Sequence, residues 1–285
     1  NYGKKFYGAS TLRTGVEKSR NLMTVRIAQE IGLDKIINFS EKLKIYEKPE
    51  ELMSISLGSA ETTLLKITSA YSSFVNGGKL VEPILIDRIQ DSEGKTIFKN
   101  KLRFCDNCDL ISYTGENIPL IKNNYQQIFS PETAYQITSI LEGVIERGTG
   151  KKLRDLNLQL AGKTGTTNKN TDAWFVGFTS NLVIGVYVGY DNPRTLGKFE
   201  TGSKTALPIF KEFVKKAVNK YEARPFKVAK GIKMMVVDAS NGKKADSNSK
   251  DTIIEAFKEE KIANNFKLGN DNKQNISKNN ILKFY

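Results

Sequence analysis

Leu160-Ala161-Gly162-Lys163-Thr164-Gly165-Thr166 is the stretch on which the reading of this chain turns. It ends a short apolar run that begins at Leu158. Two apolar segments follow, Ala173 to Thr179 and Leu182 to Tyr190, in the pattern of a hairpin. Lysine, threonine and glycine make physical sense together on a strand edge. Gly165 has no Cβ, so an extended ligand backbone can lie against the edge and add itself as a further strand. Lys163 brings a cation for a ligand carboxylate and biases nearby pKa values, and Thr166 brings a hydroxyl to the same edge. A plain edge strand with a solvated lysine would carry the same tripeptide, so the surroundings must decide. A phosphate-binding loop fails, because Asn157 stands where the pattern needs glycine and a strand follows where it needs a helix.

The 285 residues fit one large domain or two modest ones, with an ordinary apolar fraction. The formal net charge of +13 suits an anionic lipid or acidic polymer as partner. It is equally explained by a Lys-, Asn- and Ile-rich composition. The lysines are scattered and form no basic stripe interleaved with aromatics, so nucleic acid is not an expected partner. The sequence contains no histidine. That excludes Ser-His-Asp triads, Cys-His proteases and His-ligated zinc hydrolases, and leaves proton transfer to lysine, carboxylate or tyrosine. Cys105-Asp106-Asn107-Cys108 supplies half of a zinc site and lacks a thioredoxin-like setting. A local disulfide is expected in an oxidising compartment, with free thiols as the alternative. No metal and no cofactor are expected. No apolar run approaches a membrane span, there is no signal peptide, and Asn1-Tyr2-Gly3 reads as the middle of a domain.

Residues 10 to 82 read as helical. Ser10 or Thr11 can cap a helix from Leu12 to Lys18. Met23, Ile27 and Ile31 form a stripe that stops at Gly32, and a further helix spans Thr63 to Asn76. Ser19-Arg20-Asn21 lies between the first two helices. Residues 83 to 128 change to a β excursion, with Asp91-Ser92-Glu93-Gly94 as a hairpin turn. Ser130 and Pro131 start another helix, whose face is Ala134, Ile137, Leu141 and Ile145, and Pro208 opens one more. The expected organisation is a partial domain over 1–223, an extension over 224–267 and a disordered tail over 268–285, with a boundary at Arg224-Pro225. Within the extension, Ile232 to Val237 is an expected strand and Ile253 to Phe257 an expected short helix.

Two further patterns bear on chemistry. Ser19 would matter as a hydroxyl that relays a proton between a leaving amine and a lysine, and Asn21 as an amide that bonds a ligand amide. A helix-connecting turn would look the same, and Ser277-Lys278-Asn279 shows that the spacing arises by chance. A serine nucleophile activated by a lysine one turn along must start a helix, where its own N–H and the dipole help hold an oxyanion. The formal matches, Ser92 to Lys95 and Ser247 to Lys250, lie in a hairpin turn and in what reads as a polar tail, and both are rejected.

With these residues in hand, the chain resembles the C-terminal part of the class A penicillin-binding proteins. The likeness runs from Thr11-Leu12-Arg13 through Ser19-Arg20-Asn21, and through Leu57 to Gly78. It continues in Ser130-Pro131-Glu132-Thr133, Arg147-Gly148-Thr149-Gly150, Gly162 to Thr167, Asp172 to Phe178, Val186 to Asp191, Glu200-Thr201-Gly202 and Pro208-Ile209-Phe210. It covers about residues 1 to 260. The Lys-Thr-Gly strand and the Ser-x-Asn turn are two of three motifs of serine acyl-enzymes that react with penicillin; Ser-x-x-Lys is the third.

The resemblance implies an α/β (α+β) transpeptidase fold shared with serine β-lactamases, an antiparallel sheet flanked by helices, here N-terminally incomplete. It implies a bifunctional peptidoglycan synthase, anchored in the inner membrane by a segment upstream and facing the periplasm. Stem peptides ending in D-Ala-D-Ala would be its substrates, β-lactams its inhibitors and the cell-wall elongation machinery a partner. Ser19 and Asn21 would carry the proton relay and the amide contact. Lys163, Thr164 and Thr166 would carry the carboxylate and oxyanion side, and Gly165 would allow close approach. In that family the nucleophile helix and the first strands precede Ser-x-Asn, so they are expected upstream of Asn1. This chain alone is then expected to be catalytically dead and marginally stable, with an exposed sheet edge. A split-gene remnant is the alternative, and a β-lactamase or carboxypeptidase the more distant one.

Overall fold

The computed structural model describes residues 7–100, 103–106, 120–123, 125–218 and 224–266. The Thr11 hydroxyl starts α1 (Leu12–Glu17) by accepting from the Thr14 N–H. α2 (Asn21–Ile31) stops at Gly32, whose φ of 97° suits glycine, and α3 (Leu33–Lys42) begins there. Thr63 caps α4 (Leu64–Val75) in the same way, accepting from Lys66.

The chain then turns to short strands. β1 (Arg88–Gln90) and β2 (Thr96–Lys99) form an antiparallel hairpin that is exposed along its whole length. β3 (Arg103–Asp106) pairs with β4 (Leu120–Asn123), Cys105 lying opposite Ile121. Cys108, and with it the expected disulfide, lies outside the described residues, as does the 268–285 tail.

α5 (Pro131–Glu146) starts on the Ser130 hydroxyl with proline in its first turn. Next come β5 (Ala161–Thr166), β6 (Ala173–Phe178) and β7 (Val183–Val188), an antiparallel sheet in the order β5-β6-β7. One π turn, Gly202–Ala206, leads into α6 (Leu207–Ala217). β8 (Ile232–Asp238) pairs in register with β9 (Thr252–Lys258), and α7 (Glu259–Phe266) follows. The expected helix over Ile253 to Phe257 is therefore a strand. A short run with two adjacent isoleucines suits either state, and β8 offers it a full-length partner. Ser247 lies in the β8–β9 connection rather than in a tail, and like Ser92 it does not start a helix.

The fold is a mixed α/β one in which helices cover both faces of the β5–β7 sheet. Ala173 and Phe175 pack with Leu207, Phe210 and Val214 of α6, and the Phe175 and Phe210 rings meet edge to face at 4.7 Å. Ala161 and Phe178 pack on the opposite side with Leu141 and Val144 of α5 and with Phe226. Phe175, Phe178 and Phe210 are fully buried, each stabilising the sheet by about 1.5–3 kcal/mol. Among the described residues β5 and β7 have no outer strand partner. Ile31, Leu57 and Leu65 stay exposed on the helical side.

Candidate active site

Alternation along β5 divides the motif between two faces. Ala161, Lys163 and Gly165 point to the α5 side, while Thr164 and Thr166 point to the α6 side. On the α5 side, Lys163 Nζ donates to Ser19 Oγ at 2.8 Å and to the Thr164 carbonyl at 2.9 Å. Residues 144 positions apart thus come into direct contact. Desolvation brings the Lys163 ammonium down to a pKa of about 8. It stays cationic at neutral pH, yet can exchange a proton close to neutrality.

Ser19 occupies the turn between α1 and α2 with φ 52°, a left-handed conformation that costs a non-glycine residue about 1–2 kcal/mol. The turn is closed by Ser19 N–H to the Val16 carbonyl at 3.1 Å and Arg20 N–H to the Gly15 carbonyl at 2.8 Å. Ser19 is exposed, so its hydroxyl can meet both Lys163 and a ligand. Asn21 follows as the first residue of α2. It too is exposed, and its carboxamide has no hydrogen-bond partner among the described residues.

The threonines are already engaged. Thr164 Oγ1 lies 2.8 Å from Thr149 Oγ1. Thr166 Oγ1 accepts from the Gly202 N–H at 3.0 Å, which leaves its own proton free to donate to an anion. Gly165 pairs with Trp174, and a Cβ there would come within 3.0 Å of the tryptophan Cβ. Crowding from the neighbouring strand adds a second demand for glycine to that of ligand approach.

Sequence reasoning missed the supports behind this pair. Arg13 and Glu17 are 2% and 4% exposed. Arg147 Nη2 and Nε donate to Glu17 at 2.6 and 3.2 Å, and the Thr149 N–H donates to the Glu17 carbonyl at 3.2 Å. The one available signal was Gly143, a glycine inside the otherwise regular α5. A Cβ there would overlap the Glu17 carboxylate at 1.8 Å.

The family described as "Penicillin binding protein transpeptidase domain" matches residues 1–215. Penicillin-binding protein 1A of Rickettsia bellii is 41% identical over 281 residues, which are 98% of this chain and 35% of that protein. The chain thus spans about a third of the length of that relative. The crystal structure of Penicillin-Binding Protein 1A from Haemophilus influenzae superposes with a TM-score of 0.75 at 28% identity, over 90% of this chain and 41% of the other. PonA1 of Mycobacterium tuberculosis, in complex with penicillin V, superposes at 0.62 over 80% and 61% at 20% identity, a likeness of fold. A strand lysine bonded to a turn serine, on a sheet shared with these proteins, leads to one assignment: the chain belongs to the penicillin-binding protein transpeptidase family.

Proposed function

We propose that this chain supplies the lysine–serine half of the acyl-transfer site in a penicillin-sensitive D,D-transpeptidase, within a bifunctional peptidoglycan synthase. The observation that carries the reading is the 2.8 Å bond from Lys163 Nζ to Ser19 Oγ. The substrate is a stem peptide ending in D-Ala-D-Ala. Its backbone adds to the open edge of β5, and its carboxylate lies at that edge, between Lys163 on one face of the strand and the free proton of Thr166, with Thr164, on the other. The Asn21 carboxamide bonds the substrate amide.

The attacking serine belongs to a Ser-x-x-Lys helix outside residues 1–285. Its oxygen forms a bond to the penultimate D-Ala carbonyl, and the C–N bond to the terminal D-Ala breaks. The attacking serine gives its proton to the lysine of its own motif, the leaving amine takes the Ser19 proton, and Lys163 replaces that one through the bond between them, so that one proton is gained and one given up within the site. An amine from a second stem then attacks the ester, forms the cross-link and frees the serine. β-Lactams enter as carboxylate-bearing mimics of the D-Ala-D-Ala end and acylate the same serine.

In this reading the site faces the periplasm. The likeness to the family assigns the inner-membrane anchor to another segment of the longer protein; among the described residues no helix is long and apolar enough to cross a membrane. The cell-wall elongation machinery is the expected partner.

Fluorescent penicillin tests the reading. The longer protein that contains this chain takes up one covalent label, Ser19→Ala or Lys163→Ala slows the labelling, and residues 1–285 alone stay unlabelled. A stoichiometric adduct on the isolated chain would refute the split of the site. A longer protein that refuses the label would make the chain an inactive remnant, and turnover of nitrocefin would make it a β-lactamase.

A further inference from the structure

We propose that Glu255, on β9 outside the matched transpeptidase region, is a positioning residue for the Ser19 turn and acts through Arg13 and Glu17. The inference rests on reading Ser19 as the proton relay. α1 has only six residues, too few to hold itself in water, and the turn that ends it is strained at Ser19. Something outside the helix must fix it.

That something is a buried charge cluster. Arg13 Nε and Nη2 fork onto the two carboxylate oxygens of Glu255. The same guanidinium donates to the Ser139 carbonyl at 2.9 Å, to the Ser139 hydroxyl at 3.0 Å and to Glu17 at 3.5 Å. With those contacts every N–H of the guanidinium has an acceptor. Two cations, Arg13 and Arg147, face two anions, Glu17 and Glu255, so the cluster is neutral as a set. Removing Glu255 leaves the buried Arg13 guanidinium without its two-pronged partner.

The cluster also links both halves of the site. Glu17 is two residues from Ser19, and its carbonyl holds Thr149, whose hydroxyl meets Thr164 beside Lys163. Lys163 closes the circuit on Ser19. Gly143 and Gly148 make the room: a Cβ at either would come within 2.3 Å of Glu17 atoms. β9 is itself seated on α5. Gln136 donates to the Ala256 carbonyl at 2.9 Å, and Lys258 donates to the Ser130 hydroxyl at 3.2 Å. A rigid hairpin thus carries Glu255 to a helix 242 residues away.

The test uses Glu255→Gln in the longer protein. The acylation rate constant for fluorescent penicillin, per folded molecule, should fall about tenfold with little change in the affinity of the first encounter. Amide exchange at Ser19, Arg20 and Thr149 should quicken about tenfold while the β5–β6 amides keep their protection. The double variant Arg13→Met/Glu255→Met removes the buried charges together. Only that pair goes, since Glu17 keeps Arg147 as its partner; the double variant should recover the melting temperature yet stay slow to acylate. Acylation that returns to the parent rate with the melting temperature would overturn the inference, as would unchanged exchange at Ser19 in Glu255→Gln. If the parent itself takes no label, the transpeptidase reading fails, and the exchange measurement still decides the role of Glu255.

Discussion

Lys163 and Ser19 meet at 2.8 Å, but they stand on unlike supports. β5 is paired with β6 residue by residue from Ala161 to Thr166, and its sheet is buried between phenylalanines on both faces. Its position follows from burial and ladder geometry, which are cooperative and tolerant of detail. The Ser19 turn ends a six-residue helix, holds a left-handed serine and leans on buried charges and one threonine pair. Its position depends on directional contacts, each of which can be removed singly. One partner of the Lys163–Ser19 contact is therefore locked to the core, and the other can be loosened without unfolding the sheet.

The comparison can be broken from the sheet side first. Phe210→Ala empties the contact with Phe175 and should cost about 3–5 kcal/mol in denaturant unfolding, with the whole protein losing cooperativity at once. A loss confined to α1 and α2 would contradict the division drawn above.

The charge on Lys163 sharpens the comparison. Burial holds its pKa near 8, below that of an unfolded-chain lysine. The unfolded chain therefore binds the extra proton between about pH 8 and the ordinary lysine range near pH 10.4, and stability should rise with pH across that window. Lys163→Met should flatten this rise relative to the parent in parallel denaturation curves. If the ammonium holds the ligand carboxylate, penicillin acylation should fall about tenfold from pH 7 to pH 9, following the protonated fraction. An acylation rate that stays level across that range would assign the carboxylate to other groups.

The smallest effect is expected at the bridge between the two supports. Thr149→Val removes the hydroxyl that meets Thr164 and should cost about 1 kcal/mol by thermal melting. Exchange at Ser19 should quicken more than exchange at Thr164. Equal loosening of both would mean that the turn and the strand move as one body.

Much of the fold was legible locally. The caps at Thr11 and Ser130, the stop at Gly32 and the hairpin after Gly165 all rest on chemistry within a few positions of the backbone concerned, whereas Thr63, read as the first helical residue, caps its helix instead. Ile253 to Phe257 was misread because a short apolar run does not carry its own period; β8 decides it. Arg13, Glu17 and Glu255 look like any solvated charges in the sequence. Arg13 and Glu17 are buried, and Glu255 half-buried against them, only because α5 and β9 close over them, and no local pattern encodes a contact between positions 13 and 255.

The amino-acid order alone determined that a lysine lies on a glycine-bearing strand, that a serine lies at a helix junction two residues before an asparagine, and that histidine chemistry is excluded. These are properties of residue type and short spacing. That the lysine reaches the serine, that the two threonines face away from it, and that a glutamate from the C-terminal hairpin braces the turn were decided only by tertiary packing. Distances between remote segments follow from how whole layers bury their apolar faces, and that sum is not written at any one position.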